Sequence, residues 1–197
     1  MRRGVDLVVA TVATVVLSPL AALIAVAIRL TMGGPVLFRQ QRSGLHGEEF
    51  SIAKFRTMRP PRYPDEPDAA RLTRVGALLR STSLDELPQL LNVFRGEMSL
   101  IGPRPTLPEQ VVHYSAHQRR RLEMRPGITG YAQVKGRNSI TWPERIELDI
   151  WYIDNRTLAL DVRILFRTIL NLVRREGITG PGGVNQGFPL PEPDGEP

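Results

Sequence analysis

The sequence predicts an α/β chain, mostly helical with short strands, attached to a membrane through its N-terminus. Three observations predict it: an uncharged apolar run from Leu7 to Ile28, later segments whose apolar residues recur at helical spacing, and short apolar stretches bracketed by glycine and proline. With 42% apolar residues in 197, the chain can build one ordinary core. The expected organisation is a membrane helix over 1–32, a folded domain over 33–176 and a flexible tail, rich in glycine and proline, over 177–197.

The N-terminal run holds 22 residues without a charge. As a helix it would extend about 33 Å, the thickness of a bilayer core. It is too long for a signal-peptide core, and Arg29-Leu-Thr31 is no small-residue cleavage site, so retention is expected. Arg2 and Arg3 flank one end; Arg29, Arg39 and Arg42 flank the other. The positive-inside tendency therefore pulls both ends to the same side. Ser18 and Pro19 lie at mid-depth, where proline removes a helical hydrogen bond and bends the axis. Two readings stay open: a kinked helix that spans, which length alone favours, and a helix that enters and leaves by one face.

The net charge is +6 with a pI near 10.4, and Lys54 and Lys135 are the only lysines among 26 cationic side chains. This balance suits anionic partners such as phospholipid, nucleotide phosphates or nucleic acid. Cysteine is absent, which excludes disulfides, thiolate metal sites and a cysteine nucleophile.

After Gly33-Gly-Pro35 the domain begins, and Phe50–Met58 reads as a strand on which Lys54 and Arg56 would share one side at period two. Such a pair could clamp a phosphate. Residues 59–70, with four prolines, read as a mobile surface loop without chemistry. Arg71–Arg80 reads as one amphipathic helix with a basic face that includes Arg80.

Ser83-Leu-Asp-Glu-Leu-Pro-Gln89 opens the next helix. Ser83 fits as its N-cap and Glu86, three residues on, would complete a capping box, an explanation that involves no catalysis. The same geometry carries a functional reading. A helix start holds Asp85 ionised near free backbone donors, an ionised aspartate can attack phosphorus, and Glu86 could ligate a hard cation such as Mg²⁺.

Further on, the prolines of Gly102-Pro-Arg-Pro105 stiffen the backbone that presents Arg104. Leu107–Met124 reads as a charged helix with His113 and His117 four apart, lacking the glutamate of the zinc-protease pattern. The glycines of Arg125–Asn138 fit close approach to a nucleotide or ordinary turns, with Tyr131–Val134 strand-like between them. Glu144–Tyr152 reads as a helix carrying Asp149 and Tyr152. The segment from Asp161 to Arg175 reads as a strongly amphipathic helix with a basic face that could lie in a membrane interface.

Five motifs in order, Lys54-Phe-Arg-Thr-Met58, Ser83-Leu-Asp-Glu-Leu-Pro-Gln89, Met98-Ser-Leu-Ile-Gly-Pro-Arg-Pro105, Pro126-Gly-Ile-Thr-Gly130 through Gly136-Arg-Asn138, and Asp149-x-x-Tyr152, resemble the small monotopic phosphoglycosyl transferases of the bacterial sugar transferase family. The likeness covers roughly residues 1–175. It implies that the helix broken at Ser18-Pro19 is a re-entrant hairpin in a monotopic protein with amphipathic interfacial helices. The activity it implies is transfer of a phosphosugar from a UDP-sugar to a polyprenol phosphate such as undecaprenyl phosphate, releasing UMP and requiring Mg²⁺. By resemblance Asp85 is the nucleophile and Glu86 its dyad partner, with both as metal ligands. Lys54, Arg56, Arg80 and Arg104 would neutralise phosphates, and Arg137, Asn138, Asp149 and Tyr152 would be further substrate contacts.

Tyr131 stands where the family leads one to expect tryptophan, and Lys135 where asparagine is common. The expected setting is the cytoplasmic face of a bacterial inner membrane, in contact with phospholipid and without nucleic acid; a homo-oligomer is left open. The rival reading is a membrane-tethered basic protein that grips anionic lipid or nucleic acid without catalysis, which would have no use for the Asp85-Glu86 pair.

Overall fold

A computed structural model describes residues 2–136 and 140–174. Arg137, Asn138 and the predicted tail therefore lie outside the described residues. The chain divides into two compact units, one of Met1–Gln40 and Ser51–Gly96, the other of Gln41–Phe50 and Glu97–Pro197.

The first unit begins with α1 (Arg2–Met32), assigned as a single helix through Pro19 rather than as two. Its Ser18 hydroxyl donates to the Val15 carbonyl at 2.9 Å. Its most apolar stretch has a mean hydropathy of 2.5, yet only 11% of that window is buried. Val8, Val12, Val15, Val16 and Leu23 all face outward. What is buried recurs every four residues toward the C-terminal end: Ile24, Ile28 and Met32 meet Phe55 and Leu79 in a core flanked by Val36, Val75, Leu84 and Leu87.

Strand β1 (Leu37–Ser43) pairs with β2 (Glu49–Phe55). The short link between them permits only a hairpin, since parallel strands need a long crossover. The predicted strand Phe50–Met58 thus begins one residue earlier and ends at Phe55. The single predicted helix Arg71–Arg80 is two, α2 (Asp68–Arg71) and α3 (Arg74–Thr82). Thr73 divides them: its extended backbone and hydroxyl, which accepts from the Gly76 amide at 3.0 Å, start α3 afresh. Gly76 lets α3 lie directly on Thr57, because a Cβ there would stand 1.8 Å from the Thr57 carbonyl oxygen. A 3₁₀ stretch (Leu84–Gln89) and α4 (Leu90–Arg95) complete the unit. Buried Asn92 ties α4 to β2, accepting from the Ala53 amide and donating to the Ser51 carbonyl.

Residues 59–70 are tied, not loose. The Glu66 carboxylate accepts from the Arg59 guanidinium, at 2.8 Å on one oxygen, and from the Arg62 amide at 2.8 Å, while Arg59 and Arg71 bond one another's carbonyls. The bond from the Arg59 side chain, followed by that from the Arg62 amide, holds Glu66 down to a pKa of about 2.

The second unit is built on two short parallel strands, β3 (Ser99–Ile101) and β4 (Gly127–Thr129), in register at Ser99 with Gly127 and Ile101 with Thr129. The predicted helix Leu107–Met124 is instead α5 (Pro108–Val112), α6 (Ala116–Arg119) and a 3₁₀ turn (Arg120–Leu122). Ser115 forms a capping box with Gln118 and restarts the helix there. Tyr131–Val134 belongs to a helical turn, α7 (Tyr131–Lys135), not to a strand. Next come α8 (Trp142–Asn155), opened by a Thr141/Glu144 capping box, and α9 (Leu158–Arg174). Val111, Tyr114, Ile146 and Ile150 form the core here. Helix α9 buries Ile164 and leaves Leu158, Val162, Phe166 and Ile169 exposed along one side, the amphipathic pattern expected of it.

Candidate active site

The Asp85-Glu86 pair sits in the first turn of the 3₁₀ stretch, and both residues are half-buried. The predicted capping box does not form. Ser83 is the left-handed terminal residue of α3 (φ 56°, ψ 17°), a conformation that turns its side chain away from the N-cap role, and it makes no side-chain capping bond. Glu86 instead accepts from the Lys54 ammonium at 2.7 Å, with 19% and 15% of the two side chains exposed. Strand β2 delivers Lys54 to this point, and the β2–α4 clamp through Asn92 fixes the separation of the two elements.

Arg56 lies just beyond β2, which ends at Phe55. Its guanidinium donates to the carbonyls of Gly34 and Met58, and its amide to Val36, so it fixes the chain between α1 and β1. Arg80, exposed at the end of α3, donates to the Thr57 hydroxyl at 3.0 Å.

In the second unit, Arg104 lies half-buried on the loop after β3, and its carbonyl accepts from Arg121 at 3.2 Å. Arg121 was not recognised in the sequence as functional or structural. It is 1% exposed and donates to Asp149, also 1% exposed, at 2.6 Å and to the Tyr114 hydroxyl at 2.7 Å. Burial pushes the Asp149 carboxyl up, against the pull of Arg121. Tyr152 is buried as well, its hydroxyl donating to Asp161 at 2.6 Å. Asp149 and Tyr152, expected as substrate contacts, are therefore interior groups that tie α8 to the 3₁₀ turn and to α9. Their signal in the sequence was the Asp-x-x-Tyr spacing, which cannot distinguish a buried partner from a ligand contact.

Gly127 and Gly130 serve close packing against the backbone of Gly102. A Cβ on Gly127 would meet the Gly102 amide at 2.1 Å, and one on Gly130 the Gly102 carbonyl at 2.1 Å. Tyr131, at the expected tryptophan position, stacks on Trp151 with ring centroids 4.7 Å apart and has the Lys135 ammonium over its ring. His117 faces Glu147 at 2.9 Å, and among the described residues no group of three or more His, Asp or Glu side chains could hold a metal.

Residues 1–175 match the family model described as bacterial sugar transferase. The chain belongs to the bacterial sugar transferase family. This transferase is 50% identical over 154 residues to an uncharacterized sugar transferase, EpsL, of Bacillus subtilis, covering 77% of this chain and 76% of that one. It is 45% identical over 187 residues to the UDP-glucose:undecaprenyl-phosphate glucose-1-phosphate transferase of Caulobacter vibrioides, covering 87% and 69%. It is 37% identical over 198 residues to the undecaprenyl-phosphate galactose phosphotransferase of Salmonella typhimurium, covering 90% of the transferase and 41% of the relative. Family membership identifies an enzyme, and the little-buried apolar helix α1 associates the transferase with a membrane.

Proposed function

We propose that the transferase moves a phosphosugar from a UDP-sugar to undecaprenyl phosphate or a similar polyprenol phosphate, with Asp85 as nucleophile. The observation that carries this is the half-buried carboxylate pair in which Glu86 is engaged by Lys54 and not by a helix cap. A capping box would have explained both residues without chemistry; its absence removes that explanation. A purely lipid- or nucleic-acid-gripping surface gains nothing from placing two carboxylates in its interior.

An Asp85 carboxylate oxygen attacks the phosphorus that bears the sugar, and the bond from that phosphorus to the UMP oxygen breaks, its electron pair leaving with UMP. A phosphate oxygen of the polyprenol phosphate then attacks the same phosphorus. The bond to Asp85 breaks, the carboxylate is regenerated, and the lipid carries a diphosphosugar. Glu86, oriented by Lys54, partners Asp85. Lys54 and Arg80 supply positive charge for the phosphates. Arg56 does so at most from the side not occupied by its carbonyl partners, and Arg137 and Asn138 remain proposed contacts outside the described residues.

Magnesium would be an ion shared with substrate: Asp85 and Glu86 would provide the protein's oxygens and the diphosphate the others, as is common for this ion. Bound there, it would supply neutralisation of diphosphate charge.

The re-entrant course of α1 has support of its own. A straight helix of 31 residues would be about 46 Å long. The rest of the first unit, residues 51–96, is on the order of 25 Å across. Yet both ends of α1 touch it, Arg3 donating to the Phe94 carbonyl at 3.2 Å and Met32 sulfur accepting from the Thr73 hydroxyl at 3.4 Å. A bend at Ser18-Pro19 would return both basic ends to the cytoplasmic face of the inner membrane. By its own pattern, the exposed apolar side of α9 suits contact with phospholipids.

The test is Asp85→Asn in the full chain, assayed for UMP release from UDP-sugars with undecaprenyl phosphate and Mg²⁺. Turnover should vanish while the protein remains membrane-bound. Wild-type rates in that variant would refute the assignment.

A further inference from the structure

In the 3₁₀ stretch Leu84–Gln89, side chains three apart in sequence lie along one edge. Leu84 and Leu87 show this directly, both packing against the core that holds Ile28, Met32 and Leu79. Asp85 then shares the next edge with Pro88, and Glu86 shares the third with Gln89. Roughly 6 Å of rise separates Glu86 from Gln89, within the combined reach of the two side chains. Gln89 is 2% exposed, and among the described residues its Nε2 has no hydrogen-bond partner. A buried amide donor left unpaired destabilises a fold, which an apolar residue of similar shape would not do. Asn92, likewise buried three residues on, has both ends of its amide bonded to β2.

We propose that Gln89 is a positioning residue, which takes over the Glu86 carboxylate when the reacting phosphates draw the Lys54 ammonium away. Without substrate, Lys54 donates to Glu86 at 2.7 Å. The phosphotransfer reading, on which this inference rests, gives that ammonium a second task beside a diphosphate. As it moves toward the growing phosphate charge, Glu86 loses the bond that orients it beside Asp85. The Gln89 amide, one 3₁₀ turn away, replaces that bond. Being neutral, it holds the carboxylate without competing for the phosphates. Its donor is thus unpaired in the free protein and satisfied during the reaction, the kind of difference that raises a rate.

The first half of the test needs no substrate. Full-length protein carrying Gln89→Met, Lys54→Met or both is unfolded thermally beside wild type. Gln89→Met alone should melt at or above the wild-type temperature, because it removes a donor that the free protein leaves unbonded. In the Lys54→Met background Glu86 already relies on Gln89, so the same substitution should lower the melting temperature by roughly 2–4 °C. A glutamine that only filled space would shift both backgrounds alike. The second half is turnover with UDP-sugar, undecaprenyl phosphate and Mg²⁺. Gln89→Met should reduce kcat by about tenfold or more despite its unimpaired stability.

Failure of Gln89→Met to fold, or a melting temperature more than about 2 °C below wild type, would make Gln89 part of the free fold and overturn the proposal. Additive shifts in the double variant, or a kcat within about twofold of wild type in Gln89→Met, overturn it too. If Lys54→Met fails to fold, the kcat of Gln89→Met decides alone. Any of these results together with loss of turnover in Asp85→Asn leaves the phosphotransfer reading standing. Conversely, a wild-type chain that turns over no UDP-sugar would sink that reading, while melts in which Gln89 matters only without Lys54 would keep Gln89 as the reserve partner of Glu86.

Discussion

The Glu86 carboxylate accepts from the Lys54 ammonium at 2.7 Å in a half-buried setting, so the second member of the carboxylate pair is positioned by a strand and not by its own helix start. Removing the cation leaves a carboxylate short of its partner in a place where water reaches only part of it. Lys54→Met is expected to lower stability by about 1–3 kcal/mol and turnover by at least about tenfold. A double-mutant cycle with Glu86→Gln, read by thermal unfolding, should show coupling of about 0.5–3 kcal/mol. Strict additivity would mean the ion pair contributes nothing.

The Arg121–Asp149 pair is almost fully enclosed, and breaking it from one side strands a charge. Arg121→Met alone should cost about 3–5 kcal/mol, whereas Arg121→Met with Asp149→Leu should recover much of that loss. Chemical denaturation of the three proteins checks the order. Equal stability of the single and double variants would show that the stranded carboxylate is not the cause.

Gly76 is required by contact, not by backbone angle. A methyl group there would stand 1.8 Å from the Thr57 carbonyl, so Gly76→Ala must displace α3 and should destabilise the fold by about 1–3 kcal/mol. The Arg80 to Thr57 bond should be lost with it. Thermal melts and UMP release, measured on the same preparation, would both fall.

Acid should loosen the proline-rich loop before the rest. Glu66 is held at about 2, below its ordinary value of 4.5, chiefly by its bond from Arg59. A carboxyl depressed in the folded state contributes stability above its unfolded pKa and loses it as pH falls toward the folded one. Protection of residues 59–71 from proteolysis or hydrogen exchange is therefore expected at pH 5 and should decline between roughly pH 4.5 and 2. In Arg59→Gln protection at pH 5 should already be lower and its further decline with acid smaller, because the folded pKa moves back toward the unfolded one; an unchanged profile would separate the loop's order from this pair.

Much of this was legible in the sequence, because periodicity and apolar length report directly on burial. Helix α1, the core of α8 and the amphipathic α9 appear near where the pattern puts them. Local signals failed where a neighbour decided the outcome. The Ser83-x-x-Glu86 and Thr141-x-x-Glu144 patterns are alike, yet only the second forms a capping box. Ser83 is already committed as the left-handed end of α3, and no local pattern announces that. Tyr131–Val134 reads as a strand by composition, but the Gly130 junction and the Trp151 stack hold it as a helical turn. Of the candidate site, Asp85 and Glu86 were visible as a pair, while the partnership with Lys54 depends on a contact between residues 32 positions apart in sequence. Arg121 reads as one more arginine in an arginine-rich chain until packing places it between Asp149 and Tyr114.

The most direct test of the central claim is the intact mass of the wild-type protein after incubation with UDP-sugars and Mg²⁺ in the absence of any lipid acceptor. A mass increase equal to one phosphosugar, mapped to Asp85 and discharged on adding undecaprenyl phosphate, is the expected result. Turnover with acceptor present but no adduct on Asp85 from any donor would contradict the account and favour direct attack by the lipid phosphate.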